Sequence, residues 1–194
     1  MGDLALTLAP DLRVAVADWR EHRDGVRRLS RHTAAAYDGD LADFLSFLTH
    51  HFGAPPDLAA LRGLSPADMR AWLADRARRG LARSSTARAA SAVRGFFRHL
   101  ARTRGIDAGA VGAVRAPRPR PTAPRPLRET DAAELIDAAA VDAAAPWLGR
   151  RDQALFAMLY GCGLRIGEAL SLPRRAAPLP AMLRVRGKGD KERL

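Results

Sequence analysis

The sequence predicts a mainly α-helical protein whose last dozen or so residues turn into a β-hairpin, and three observations carry that reading. Apolar residues recur at spacings of three and four in most segments between residues 10 and 103, as the buried faces of amphipathic helices do. The stretch Ala116 to Pro126, APRPRPTAPRP, holds five prolines and no apolar period, which divides the chain. Met182 to Arg193, MLRVRGKGDKER, runs from strand-like residues into Gly187-Lys188-Gly189-Asp190, a hairpin turn sequence.

The first helix is expected from Pro10 to about Arg23, with Leu12, Val14, Ala15, Val16 and Trp19 apolar and a stop near Asp24-Gly25. Ser30 to Thr33 offers caps for a second helix, roughly His32 to Phe52, which puts Tyr37, Leu41, Phe44, Leu45, Leu48 and Phe52 on one face. Tyr37 sits on that stripe, so core packing with its hydroxyl at the edge is its expected role, not nucleophilic chemistry. His50 and His51 close the helix. Adjacent side chains diverge by about 100° around a helix axis, which argues against a shared metal and places both near the last carbonyls.

Ser65-Pro66-Ala67-Asp68 reads as the cap, first-turn proline and first-turn acid of a third helix to Arg79, stopped by Gly80, with Met69, Trp72 and Leu73 buried. A fourth helix, capped by Ser84 or Ser85, should reach about Thr103. It turns Val93, Phe96, Phe97 and Leu100 inward and Arg88, Arg94, Arg98 and Arg102 largely outward. These four helices make a domain over residues 1–115, followed by a linker over 116–126 and a second domain over 127–194. In the second domain a helix begins at Thr130 or Asp131 behind the acids Glu129, Asp131 and Glu134 and carries Leu135 and Ile136. Pro146-Trp147 interrupts, and Asp152 is expected to cap the helix that leads to Gly161.

Composition narrows the function. No apolar span of 18 residues exists and the N-terminus carries aspartates where a signal peptide needs positive charge, so a soluble cytoplasmic protein without a membrane partner is expected. Cys162 is the only cysteine, which rules out an intrachain disulfide or a zinc cluster built on cysteine. The net charge of +11 suits a polyanion. Since Lys188 and Lys191 are the only lysines, the arginine total partly reflects coding bias, and distribution is more telling. Arg83 to Arg128 holds eleven arginines against the single acid Asp107, and the linker arginines Arg118 and Arg120 could lie along a phosphate backbone.

The chemistry concentrates in Ala154 to Leu172, ALFAMLYGCGLRIGEALSL. An apolar run breaks at Gly161-Cys162-Gly163, and Arg165 follows at the start of a second run. Glycines permit the turn, a guanidinium forks well onto phosphate, and a new helix start aims N–H groups at an anion. The same residues also suit a packing element in which Arg165 pairs with Glu168 three residues on.

Together GCGLRIGEALSL and RVRGKGDKER resemble the first two active-site boxes of tyrosine recombinases, closely so for the Xer-type bacterial members. Gly163-Leu164-Arg165-Ile166-Gly167-Glu168-Ala169-Leu170 follows the family's G-L-R-x-x-E-L pattern except at Ala169, and Gly187 to Arg193 matches its G-K-G-x-K-E-R hairpin throughout. The resemblance implies a helical SAM-like core-binding domain, a basic linker and the beginning of an α+β catalytic domain. Its partners would be double-stranded DNA and further recombinase protomers, four in the family's synapse, and no cofactor is required.

By position, Arg165 would bind the non-bridging oxygens of the scissile phosphate and Lys188 would assist proton transfer to the departing 5′ oxygen. Glu168 would support the site. Arg88, Arg94, Arg98, Arg102, Arg118, Arg120, Lys191 and Arg193 would contact DNA. Between the boxes, Pro173 to Pro180 departs from the family's acidic-apolar stretch. The family's His-x-x-Arg box, its further histidine or tryptophan and its tyrosine nucleophile have no counterpart in these 194 residues, so the resemblance implies a truncated recombinase. A DNA-binding protein that retains the clamp without the chemistry is the alternative.

Overall fold

The structure, a computed structural model, describes residues 8–27, 30–107, 109–118, 126–141, 143–187 and 192–194. It forms two compact units, Met1–Pro121 and Thr122–Leu194. Lys188, Lys191, Arg120 and most of the proline-rich stretch lie outside the described residues.

Four long helices build the first unit: α1 (Pro10–Arg27), α2 (Arg31–Phe52), α4 (Pro66–Arg78) and α5 (Arg83–Arg104). Two one-turn helices that have no periodicity to betray them, α3 (Leu58–Arg62) and α6 (Gly109–Ala113), sit in the connections. Ser30 caps α2 by accepting the Thr33 N–H at 3.2 Å, and Gly53 ends it at φ 73°. Ser65 and Asp68 form a reciprocal capping box on α4.

Two helix boundaries differ from expectation. Helix α1 runs past Asp24-Gly25, since an interior glycine costs only about 1 kcal/mol and Arg23 ties the turn to α2 through Asp38 at 2.8 Å. Ser84 and Ser85 lie inside α5 and do not cap it, because the chain is already extended at Ala82, the true N-cap.

The apolar stripes of α1, α2, α4 and α5 converge on one core in which Leu12, Leu41, Phe44, Leu48, Trp72, Phe96 and Phe97 are all but inaccessible. Its aromatic rings meet edge to face, Phe44 on Trp72 at 5.0 Å and Trp19 on Phe96 at 5.7 Å. Tyr37 is partly buried against this core, as its place on the α2 stripe requires.

The second unit contains α7 (Glu129–Val141), α8 (Pro146–Gly161), α9 (Ile166–Leu170), a 3-10 turn (Arg174–Ala176) and an antiparallel pair, β1 (Val185–Arg186) with β2 (Glu192–Arg193). Val185 pairs with Arg193 and Arg186 with Glu192. Pro146 starts α8 instead of interrupting it, because proline fits the first helical position. Asp152 therefore sits within the helix, ion-paired to Arg151 at 2.8 Å, and caps nothing. Gly149 lets α8 approach α7 closely: a Cβ there would stand 2.8 Å from the carbonyl oxygen of Ala140. The apolar centre of this unit is small, with Leu164, Ala169 and Val185 buried against Leu155, Met158, Leu159, Leu172 and Leu183. Among the described residues no helix is long and apolar enough to cross a membrane.

Candidate active site

The turn between α8 and α9 is built by glycine and pinned by leucine. Cys162 and Leu164 both donate their N–H to the carbonyl of Met158, at 3.2 and 3.4 Å, and Gly163 between them takes φ 60°, which costs glycine nothing. Leu164 is buried beneath the turn. The chain then becomes extended at Arg165 (φ −73°, ψ 149°), which is the N-cap of α9.

Glu168, at the third position of α9, is the centre of the arrangement. Its Oε2 accepts the backbone N–H of Arg165 at 2.8 Å, and its Oε1 accepts Nη1 of the same arginine at 2.9 Å. Arg193 on β2 donates Nη2 to Oε2 at 2.6 Å and to the carbonyl of Gly163 at 3.0 Å. The carboxylate is 7% exposed, whereas the Arg165 side chain is 68% exposed. The Arg165 backbone N–H, followed by the two guanidinium donors, outweighs burial and holds the Glu168 carboxyl down at about 2. The acid thus stays ionised and fixes one edge of the Arg165 guanidinium, leaving the rest in solvent.

The structure bears on one of the two sequence readings of this segment, the pairing of Arg165 with Glu168. Arg165 does pair with Glu168, yet its outer edge remains available. The N–H at the helix start that was expected to face an anion donates instead to Glu168. A cavity of about 320 Å³ lies between the turn and β1, walled by Met158, Leu164, Val185 and Arg193. Lys188 and Lys191 fall between β1 and β2 in the sequence, outside the described residues.

The first-unit arginines divide by partner. Arg88 forks onto Asp40 of α2 at 2.8 and 3.2 Å, and Arg94 donates to the carbonyl of Val114 at 2.7 Å. Arg102 donates to Nε2 of His22 at 2.7 Å. Arg98 and Arg118 are exposed and have no partner among the described residues. Sequence reasoning missed the anchoring pairs Arg23–Asp38 and Arg76–Asp43. Their signal is an arginine four residues after a tryptophan, stacked over its ring: Arg23 is 4.9 Å from the Trp19 centroid and Arg76 5.5 Å from that of Trp72.

Residues 16–104 match the phage integrase N-terminal SAM-like domain. Over nearly its whole length the chain is also similar to Xer-type tyrosine recombinases. It is 43% identical over 191 residues to tyrosine recombinase XerC of Rhodospirillum centenum, covering 98% of this chain and 56% of that protein. It is 42% identical over 190 residues to XerC of Methylobacterium nodulans (96% and 59%) and 39% over 186 residues to XerC of Brucella suis (95% and 59%). The chain thus spans less than two thirds of the length of these relatives. No solved structure matches it.

Proposed function

We propose that this chain supplies the DNA clamp and the first phosphate-binding elements of a site-specific tyrosine recombinase. Residues 1–115 would be the core-binding domain, 116–126 a linker along the DNA backbone, and 127–194 the opening of the catalytic domain. The reaction would cleave and rejoin DNA strands in the cytoplasm through a 3′-phosphotyrosyl intermediate, within a synapse of recombinase protomers. No tyrosine in these 194 residues suits the nucleophile's role: Tyr37 packs on the first-unit core, and Tyr160 lies on α8, before Arg165.

The observation that carries this reading is the Glu168 centre. It holds the arginine of the first box and the hairpin of the second box on one carboxylate, while keeping the outer edge of Arg165 free for non-bridging phosphate oxygens. Lys188, between the hairpin strands, would deliver a proton to the leaving 5′ oxygen. Arg193 is then a positioning residue that docks the hairpin, in addition to any DNA contact. Among the remaining candidates, Arg98 and Arg118 are the readiest DNA contacts, because Arg88, Arg94 and Arg102 already have protein partners.

The test is covalent trapping on a nicked suicide duplex. The 194-residue polypeptide should bind the duplex without forming an adduct, since a covalent route needs its nucleophile. A chimaera extended with the C-terminal segment of a XerC relative should form the adduct, and Arg165→Ala in it should lower the yield by about 10²-fold or more. An adduct formed by the unextended chain, or a chimaera indifferent to Arg165→Ala, would refute the assignment.

A further inference from the structure

The first unit contains a cavity of about 180 Å³ whose Arg98 and Arg102 the recombinase reading already places among the DNA contacts, and the inference drawn from it rests on that reading. Its lining includes His22, Arg23, Arg98, His99 and Arg102, with Trp19 and Tyr37 as the apolar walls. We propose that this cavity binds a single phosphate group.

Donors outnumber acceptors here. The rings of His22 and His99 lie 5.3 Å apart, and Nη2 of Arg102 reaches Nε2 of His22 at 2.7 Å and Nδ1 of His99 at 3.4 Å. A guanidinium can only donate, so these two ring nitrogens accept. The proton of each neutral imidazole must then sit on the other nitrogen, Nδ1 of His22 and Nε2 of His99. His99 is 7% exposed, and its Nε2 has no hydrogen-bond partner among the described residues. A polar group left buried in this way is costly unless an acceptor completes it. The lining thus combines two imidazole rings with two guanidiniums, Arg98 and Arg102, that lack a carboxylate among the described residues.

Charge points the same way. Among the described residues no carboxylate lines the cavity. The nearby acids are engaged elsewhere: Asp24 and Asp38 hold Arg23, and Asp18 pairs with Arg104. Arg98 and Arg102 are left without an anion. Burial, with help from His22 and Arg102, pushes the His99 imidazole below its usual range and outweighs the opposing pull of Asp18. The site is thus short of negative charge, and the volume admits a five-atom tetrahedral oxyanion. The phosphate could be a backbone phosphodiester of bound duplex or a free phosphate ion, and the two sources are separable by experiment.

The full chain, labelled with ¹⁵N-histidine and assigned with His22→Gln and His99→Gln, should be titrated with inorganic phosphate and, separately, with duplex DNA, at constant ionic strength set with chloride. Saturable shifts of the His22 and His99 ring nitrogens are expected. Arg98→Gln, which removes an exposed side chain without a protein partner, should weaken the phosphate response about tenfold. If DNA produces the same shifts and competes with phosphate, the ligand is a phosphodiester. If phosphate alone produces them, it is the free ion. The proposal is overturned if neither titrant moves either histidine, or if Arg98→Gln leaves the phosphate response unchanged. DNA affinity, followed independently by anisotropy, reports on the recombinase reading, so the failure of one is distinguishable from the failure of the other.

Discussion

Replacing Arg98 and Arg118 together with glutamine should flatten the salt dependence of duplex binding, whereas replacing Arg88 should not. Each arginine that neutralises a phosphate contributes about 0.9 to the slope of log affinity against log salt. Arg98 and Arg118 face solvent with no partner among the described residues, so the double variant should lose about 1.8 of slope. Between about 50 and 200 mM salt the native chain should then lose roughly tenfold more affinity than the variant. Arg88 already has an anion, the 7% exposed carboxylate of Asp40. Arg88→Gln should leave the slope alone and instead cost about 1–2 kcal/mol of stability as Asp40 loses its forked donor. The assay is fluorescence anisotropy on one labelled duplex across a salt series, with denaturant unfolding of each variant alongside. Equal slopes for the native chain and the double variant would mean that these arginines do not meet phosphates. A slope loss in Arg88→Gln as large as in the double variant would mean that net charge alone sets the affinity, and the division by partner would fail.

Two further outcomes follow from the packing and the Glu168 centre. Trp72→Ala should destabilise the first unit by about 3–5 kcal/mol, since Trp72 is fully buried against Phe44; a loss below about 1 kcal/mol in denaturant unfolding would show that the core is organised differently. Glu168 titrates at about 2 in the fold against 4.5 as a free side chain, so its contribution is complete above pH 4.5 and disappears as pH falls from 4.5 through 2. Protection of the β1–β2 amides should show that acid limb, and Glu168→Gln should abolish it; an unchanged acid profile in the variant would mean that Glu168 does not hold the hairpin.

What was legible in the sequence is what depends on near neighbours. The α2 stripe from Leu41 to Leu48 and the Ser65–Asp68 capping box are set by spacings of three and four and appear where those spacings put them, whereas Phe52, placed on the same stripe, is exposed at the helix end. Half of the Glu168 centre was legible for the same reason, because Arg165 lies three residues away. Arg193 lies 25 residues away, and only the return of the hairpin brings it to the same oxygen. The errors have a common cause. Ser84, Ser85 and Asp152 are cap-forming residues judged by type, but whether such a side chain caps depends on where the backbone becomes extended. Ala82 and Ala145 took that conformation first.

Coding bias can explain why the chain has so many arginines, but it cannot explain which of them remain free. That is decided largely by the acids of α2, with Asp18 of α1 and Asp75 of α4 taking others. Asp38, Asp40 and Asp43 take Arg23 of α1, Arg88 of α5, and Arg76 of α4 with the following Arg79 respectively, so one helix neutralises an arginine from each long helix packed around it. Each of these pairs joins two helices, and the Arg23 and Arg76 side chains are almost fully buried. A guanidinium held in this way is a structural tie and has little left for a phosphate. Among the described residues of the first unit, those without an acid include Arg83, Arg94, Arg98 and Arg102 along α5, Arg115 and Arg118 beyond it, and Arg31, Arg62 and Arg70 elsewhere. A background excess of arginine spread without regard to function would still have been sorted by α2 into ties and free cations. On α5 the acids of α2 neutralise Arg88 and leave Arg94, Arg98 and Arg102, so the salt-slope comparison of Arg98 with Arg88 tests whether that division matters for DNA.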